Sequence, residues 1–171
     1  MKHIINFGIL LTAGILQFSC FTVKYSTSGA SIPVEAKTVS VQFFENQAPI
    51  VEPTLALKVT NALKDYIQSN TKLILVNGTG DLDFEGAITG FSESASGISS
   101  GDLVVQQKRF TIAIKVRYTN SFDKEKDWES SFSRFQDYGG ATSFQQAQAS
   151  YTEDIVELLV EDIFNKAFVN W

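Results

Sequence analysis

FTIAIKVRYT, residues 110–119, is the stretch that decides the fold. Phe110, Ile112, Ile114, Val116 and Tyr118 alternate with Thr111, Ala113, Lys115, Arg117 and Thr119. Successive side chains of an extended chain point to opposite faces, so this period of two puts five large apolar groups on one face. The other face is polar and carries two cations. The segment therefore predicts a half-buried strand of an antiparallel sheet that is covered on one side only.

Working outward from that strand, Leu82, Phe84 and Ile88 alternate with Asp83, Glu85 and Thr89, which predicts a second strand through about Phe91. Ser92 to Gly101 is rich in Ser and Gly and reads as a hairpin loop between the two. Leu73-Ile74-Leu75-Val76 reads as a short buried strand ended by the turn formers Asn77-Gly78-Thr79-Gly80. Val39, Val41 and Phe43 alternate with polar neighbours and give a further strand. Downstream, Asn120 to Asp127 is a charged turn, Trp128 to Phe135 a less regular strand, and Gly139-Gly140 closes the sheet region.

Two segments carry helical spacing instead. Leu55, Val59, Ala62, Leu63, Tyr66 and Ile67 make one apolar face over residues 54–69, with Thr54 at its start. The second helix spans about 143–168, with Tyr151, Ile155, Leu158, Leu159 and Ile163 as its primary face. It bears a second apolar row, Val156, Val160, Phe164 and Phe168, with Trp171 beyond. Either this row clamps the helix between the sheet and another element, or it faces a partner protein. Phe164, Phe168 and Trp171 are the candidate partner contacts. The order strand, helix, strands, helix predicts an α+β fold: two helices packed on one face of a mostly antiparallel sheet of four to five strands.

The amino terminus has a different character. Met1-Lys2-His3 precedes an apolar run from Ile4 to Leu16, and Ser19 precedes Cys20, the only cysteine. A basic start, a short apolar run and a small residue before a break form a secretory signal, and the run is too short to span a bilayer. A lone cysteine at that break reads as the lipid-modified first residue of a bacterial lipoprotein, although the usual Leu lies one residue early, at Leu16. The alternative is an ordinary cleaved signal followed by a free thiol. The division is a signal at 1–19, a lipidated tether at 20–33 and one domain at 34–171.

Composition narrows the chemistry. Hydrophobic residues make up 44% of the chain and the formal net charge is -5, so a packed core is available and nucleic acid is an unsuitable partner. The only histidine is His3, inside the signal. A mature chain with no imidazole and a lipidated thiol lacks Ser-His-Asp and Cys-His catalysis and the usual zinc, copper and haem ligands. Its acids are spread over strand faces and helix surfaces, so the reading is a non-enzymatic protein without a cofactor.

Two polar patterns compete with plainer readings. Asp81-Leu82-Asp83-Phe84-Glu85-Gly86 imitates the start of a calcium loop, but position twelve is Ser92, and the alternation makes the acids the wet face of a strand. Lys108, Arg109, Lys115 and Arg117 are the densest positive group in an acidic chain. They are candidates for the phosphates of an anionic glycolipid or for an acidic partner surface; the alternative is pairing with acids on neighbouring strands.

Four segments carry a family likeness: Gly29-Ala30-Ser31-Ile32-Pro33, DLDFEGAITGF from Asp81, SFSRF from Ser131, and the closing LVEDIFNKAFVNW. In order and spacing they resemble LptE, the lipopolysaccharide-assembly lipoprotein of the outer membrane, in a divergent branch. The resemblance spans most of the mature chain. It implies two helices on a four-stranded sheet, and a lipoprotein lodged in the lumen of the outer-membrane barrel LptD. There it would plug the barrel, assist its assembly and take part in lipopolysaccharide insertion. An alternative of another class is a periplasm-facing lipoprotein that binds a small ligand or inhibits an enzyme.

Overall fold

A computed structural model describes residues 32–100, 103–105 and 107–169; Cys20, most of the tether and Trp171 lie outside them. Eight strands and two long helices follow one another: β1 (Thr38–Val41), β2 (Glu45–Asn46), α1 (Leu55–Asn70), β3 (Ile74–Leu75), β4 (Leu82–Ala95), β5 (Ile98–Ser100), β6 (Leu103–Val105), β7 (Gln107–Asn120), β8 (Trp128–Gly139) and α2 (Phe144–Phe168). The main sheet runs β3-β1-β4-β7-β8, and β2 pairs with β4 beyond the end of β1. That makes six strands where the sequence predicts four to five. The α+β class and the two helices on one face stand.

The sheet has two halves. β1 pairs in parallel with β3 and β4, and β2 in parallel with β4, so α1 is the crossover that parallel neighbours require. β4, β7 and β8 form two long antiparallel ladders that dominate the sheet. β4 runs on to Ala95, opposite Lys108, and β5 pairs with β6 beyond it. The Ser/Gly-rich segment after Phe91 is therefore largely extended hairpin rather than loop. Its serines lack strand propensity, but a partner strand supplies their backbone groups with hydrogen bonds.

β7 matches its pattern. Phe110, Ile112, Ile114 and Val116 are fully buried and Tyr118 nearly so, whereas Lys115 and Arg117 are exposed. Leu82, Phe84, Ile88 and Phe91 of β4 join them beneath the helices. Between β1 and β2 the chain leaves the ladder at Phe44, whose N–H donates instead to Thr60 Oγ1 of α1 at 3.1 Å. This detour lays the buried Phe44 ring over Gly86, where a Cβ would sit 2.4 Å from Cε1 of the ring. Gly86 is thus a close-approach glycine.

α2 begins with a reciprocal cap between Ser143 and Gln146. Ala147, Ile155, Leu159 and Ile163 are buried, and so are Val156, Val160, Phe164 and Phe168. Phe164 meets Tyr66 of α1 edge-on at 5.1 Å, and Phe168 contacts the rings of Phe84 and Tyr118. The helix is clamped between the sheet and α1. The candidate partner contacts Phe164 and Phe168 are corrected to core, with 4% and 1% of their surface exposed. Leu158, assigned to the primary face, is 43% exposed, because the two buried rows centre the apolar arc on the other side of the helix.

Candidate functional site

Helices cover one face of the sheet, so the other face displays whatever the odd-numbered residues of β7 and β8 carry. Arg117 stands opposite Glu129 of β8 and Glu85 of β4, and Lys115 opposite Ser131 and Ala87. Lys115 Nζ lies 2.6 Å from Glu129, and Arg117 lies 3.1 Å from Glu129 and 3.6 Å from Glu85. Hydrogen bonds from Lys115 and Arg117 hold the Glu129 carboxyl below the usual glutamate range. A hollow of about 250 Å³ is lined by this group together with Gly86 and Ala87. A second, of about 500 Å³, shares Glu85 and Gly86 and adds Gln42, Glu45, Thr79 and the exposed ring of Phe43.

The four candidate cations do not form one patch. Arg109 shares the outer face but lies eight residues from Arg117, roughly 26 Å along the strand. Its guanidinium donates to both Asp137 carboxylate oxygens, at 2.7 and 2.9 Å, and lies 3.6 Å from the centre of the Phe135 ring. This fork lowers the Asp137 carboxyl below its ordinary value. Lys108 is on the opposite, helix-side face, 3.4 Å from Glu93. Glu93 also accepts from the Tyr138 hydroxyl, whose titration is pushed up to about 12 by burial and by that carboxylate. Each candidate cation thus has an acid on a neighbouring strand.

The acids of the segment that imitates a calcium loop are engaged as well. Asp81 accepts the N–H groups of Lys37 and Thr38 at 2.9 and 3.0 Å, which fixes the start of β1. Asp83 accepts from Ser40 and from Gln42, and Glu85 faces Arg117. Between the two charge groups the outer face is small-sided: Gly90, Ala113 and Ser133 sit side by side. Another surface can approach the backbone closely there.

One feature escaped the sequence reading. The helices run alongside each other, with Lys58 near Glu153 and Tyr66 against Phe164. Between them lies a groove of about 440 Å³ floored by Ala62, Tyr66, Val156 and Val160 and walled by Lys58, Asp65, Glu153 and Glu157. The signal was present as Glu153, Glu157 and Glu161 at four-residue steps, but nothing in the sequence says that α1 lies beside them.

A family model described as LptE, lipopolysaccharide-assembly, matches residues 36–167, from just before β1 almost to the end of α2. Comparison with curated protein sequences gives no match. Among solved structures, a minor lipoprotein from Acinetobacter baumannii superposes with a TM-score of 0.50 at 11% identity, over 77% of this chain and 91% of that one. PelC from Paraburkholderia phytofirmans, a dodecamer, gives 0.50 at 8% identity over 82% and 95%. A neuraminyllactose-binding hemagglutinin homologue from Helicobacter pylori gives 0.52 at 11% identity over 83% and 88%. At such identities the likeness is one of fold.

Proposed function

The chain belongs to the LptE lipopolysaccharide-assembly family, and from that membership we propose a non-enzymatic outer-membrane lipoprotein that plugs and supports the LptD barrel. The observation that carries this reading is the extent of the family match, which takes in both helices and the main sheet as one unit. The outer sheet face supports it. Barrel lumens are polar, and the face that a plug turns to the barrel wall must be polar without bringing unneutralised charge into a confined space. The alternating cations and acids of β4, β7 and β8 meet that requirement.

No helix among the described residues is long and apolar enough to cross a membrane. In this reading the attachment is the lipid on Cys20. Lipopolysaccharide contact is proposed for the outer-face cations Lys115 and Arg117, with Arg109 a separate point farther along β7 and Lys108 set apart on the helix-side face. It is an exchange: a lipid phosphate takes the place of the carboxylate each cation now holds. Exposed pairs contribute little stability each, so the exchange is open to a multiply charged headgroup.

The test is extraction of the tagged full chain in mild detergent, with mass spectrometry of what stays bound and of the acyl label on Cys20. A barrel protein retained in stoichiometric amount, and lost neither in salt nor on dilution, is the expected result. An isolated monomer with no barrel partner would overturn the plug and leave the ligand-binding lipoprotein as the better reading.

A further inference from the structure

The groove between α1 and α2 differs from the charged outer face of the sheet. Asp65, Glu157 and Glu161 make no ion pair among the described residues, and Glu153 has only Lys58, at 4.0 Å and well exposed. Glutamates at four-residue steps repel one another along a helix, so the fold tolerates an unfavourable ridge here. The ridge flanks a hollow whose accessible apolar surface comes from the half-buried Ala62 and Tyr66, with Val156 and Val160 closed off beneath them at 4% and 1% exposed. Burial, together with the charges of Glu161 and Glu157, raises the titration of the Tyr66 hydroxyl.

We propose that this groove docks a basic segment of a partner protein, which inserts an apolar side chain between α1 and α2 and sets Lys or Arg residues against Asp65, Glu153 and Glu157. The occupant follows from charge and shape. Lipid headgroups carry phosphate and are repelled by the rim. A second copy of this chain offers strand cations already paired with their own acids, and its described lysines without an ion pair, Lys37, Lys64, Lys72 and Lys166, stand singly in the sequence rather than on both sides of an apolar anchor. The hollow takes one or two large side chains, not a whole helix, while the rim from residue 58 to 66 runs about 12 Å. A short peptide segment with cations on both sides of an apolar anchor fits both dimensions, and anchors of this kind carry most of the energy at interfaces. The inference does not depend on the barrel reading.

The experiment titrates the full mature chain, in one non-ionic detergent throughout, with the hexapeptide KLKKLK and with SLSSLS, which keeps the same two leucines. Saturable binding of KLKKLK that weakens with salt, and no measurable binding of SLSSLS, is expected. The triple variant Asp65→Asn, Glu153→Gln, Glu157→Gln should bind KLKKLK about tenfold more weakly, with its melting temperature kept. The sheet-face variant Glu85→Gln, Glu129→Gln should bind as the wild type does. Should the triple variant fold poorly, Asn61→Lys adds a cation to the rim without touching the floor and must also weaken binding. Failure of the wild type to bind KLKKLK, equal affinities for wild type and rim variants, or equal binding of the two peptides would each overturn the proposal.

Discussion

On the uncovered face of the sheet, Lys115 and Arg117 share Glu129, and Arg109 grips Asp137 with both arms of its guanidinium. Across the helix pair, Asp65, Glu153 and Glu157 line an apolar groove with one lysine, Lys58, among them. Both surfaces are polar and both meet solvent. The difference lies in where the partners can come from. A strand places residues from two neighbouring strands directly opposite each other, so a sheet can satisfy its own charges locally. A helix residue finds its nearest neighbours three and four residues away, and along Glu153, Glu157 and Glu161 the four-residue neighbours carry the same sign. The sheet face is electrostatically complete by itself, and the helix groove is not.

The comparison assumes that the helix layer is as firmly built as the sheet, and that assumption is the easiest to break. Phe168→Ala removes a fully buried ring that contacts Phe84, Tyr118 and Phe164. It should lower stability by about 3–5 kcal/mol in denaturant titration. A loss below about 1 kcal/mol would mean that α2 is loosely docked and that its groove has no fixed shape.

A smaller effect tests the sheet face. Glu129 titrates below its ordinary value of 4.5 because it holds Lys115 and Arg117. A carboxyl lowered in the folded state contributes stability that is fully present above its unfolded value and is lost as pH falls through the folded one. Melting temperature should therefore hold from neutrality down to about pH 5 and drop below it, as Glu129 and the likewise lowered Asp137 take up protons. Glu129→Gln should flatten part of that acid limb. An acid limb identical in wild type and variant would show that the pair carries no stability.

The smallest effect has the opposite sign. Glu157→Gln relieves repulsion within the Glu153-Glu157-Glu161 ridge, so stability should rise by no more than about 0.5 kcal/mol. Chemical denaturation of the two variants side by side sharpens the contrast: neutralising an acid weakens the sheet and not the helix layer. If Glu157→Gln destabilised the fold instead, the ridge would have a partner within the chain.

Several elements were legible from the residues, and for identifiable reasons. The period of two in residues 110–118 sorted the two faces of β7, because a register error of one residue would expose every apolar side chain. The spacing of Leu55, Val59, Leu63 and Ile67 marked α1 in the same way. β2 escaped, since two residues have no period, and so did the continuation of β4 past Phe91, where serine and glycine mimic a loop. The second row of α2 could be read as core or as interface until its neighbour was known. The cation cluster looked like one patch because residues adjacent in sequence, Lys108 and Arg109, point to opposite faces of the strand.

What the sequence determined alone were the quantities fixed by local geometry and composition: alternation, helical spacing, one wet sheet face, and the absence of imidazole beyond His3. Pairing was decided only by the tertiary structure. Which acid meets Arg117, which ring covers Gly86 and which helix lies beside Glu157 depend on residues 12 or more positions apart, such as Arg117 with Glu129 and Phe44 with Gly86. The period of a segment says which way a side chain points, and only the packing of whole elements says what it points at.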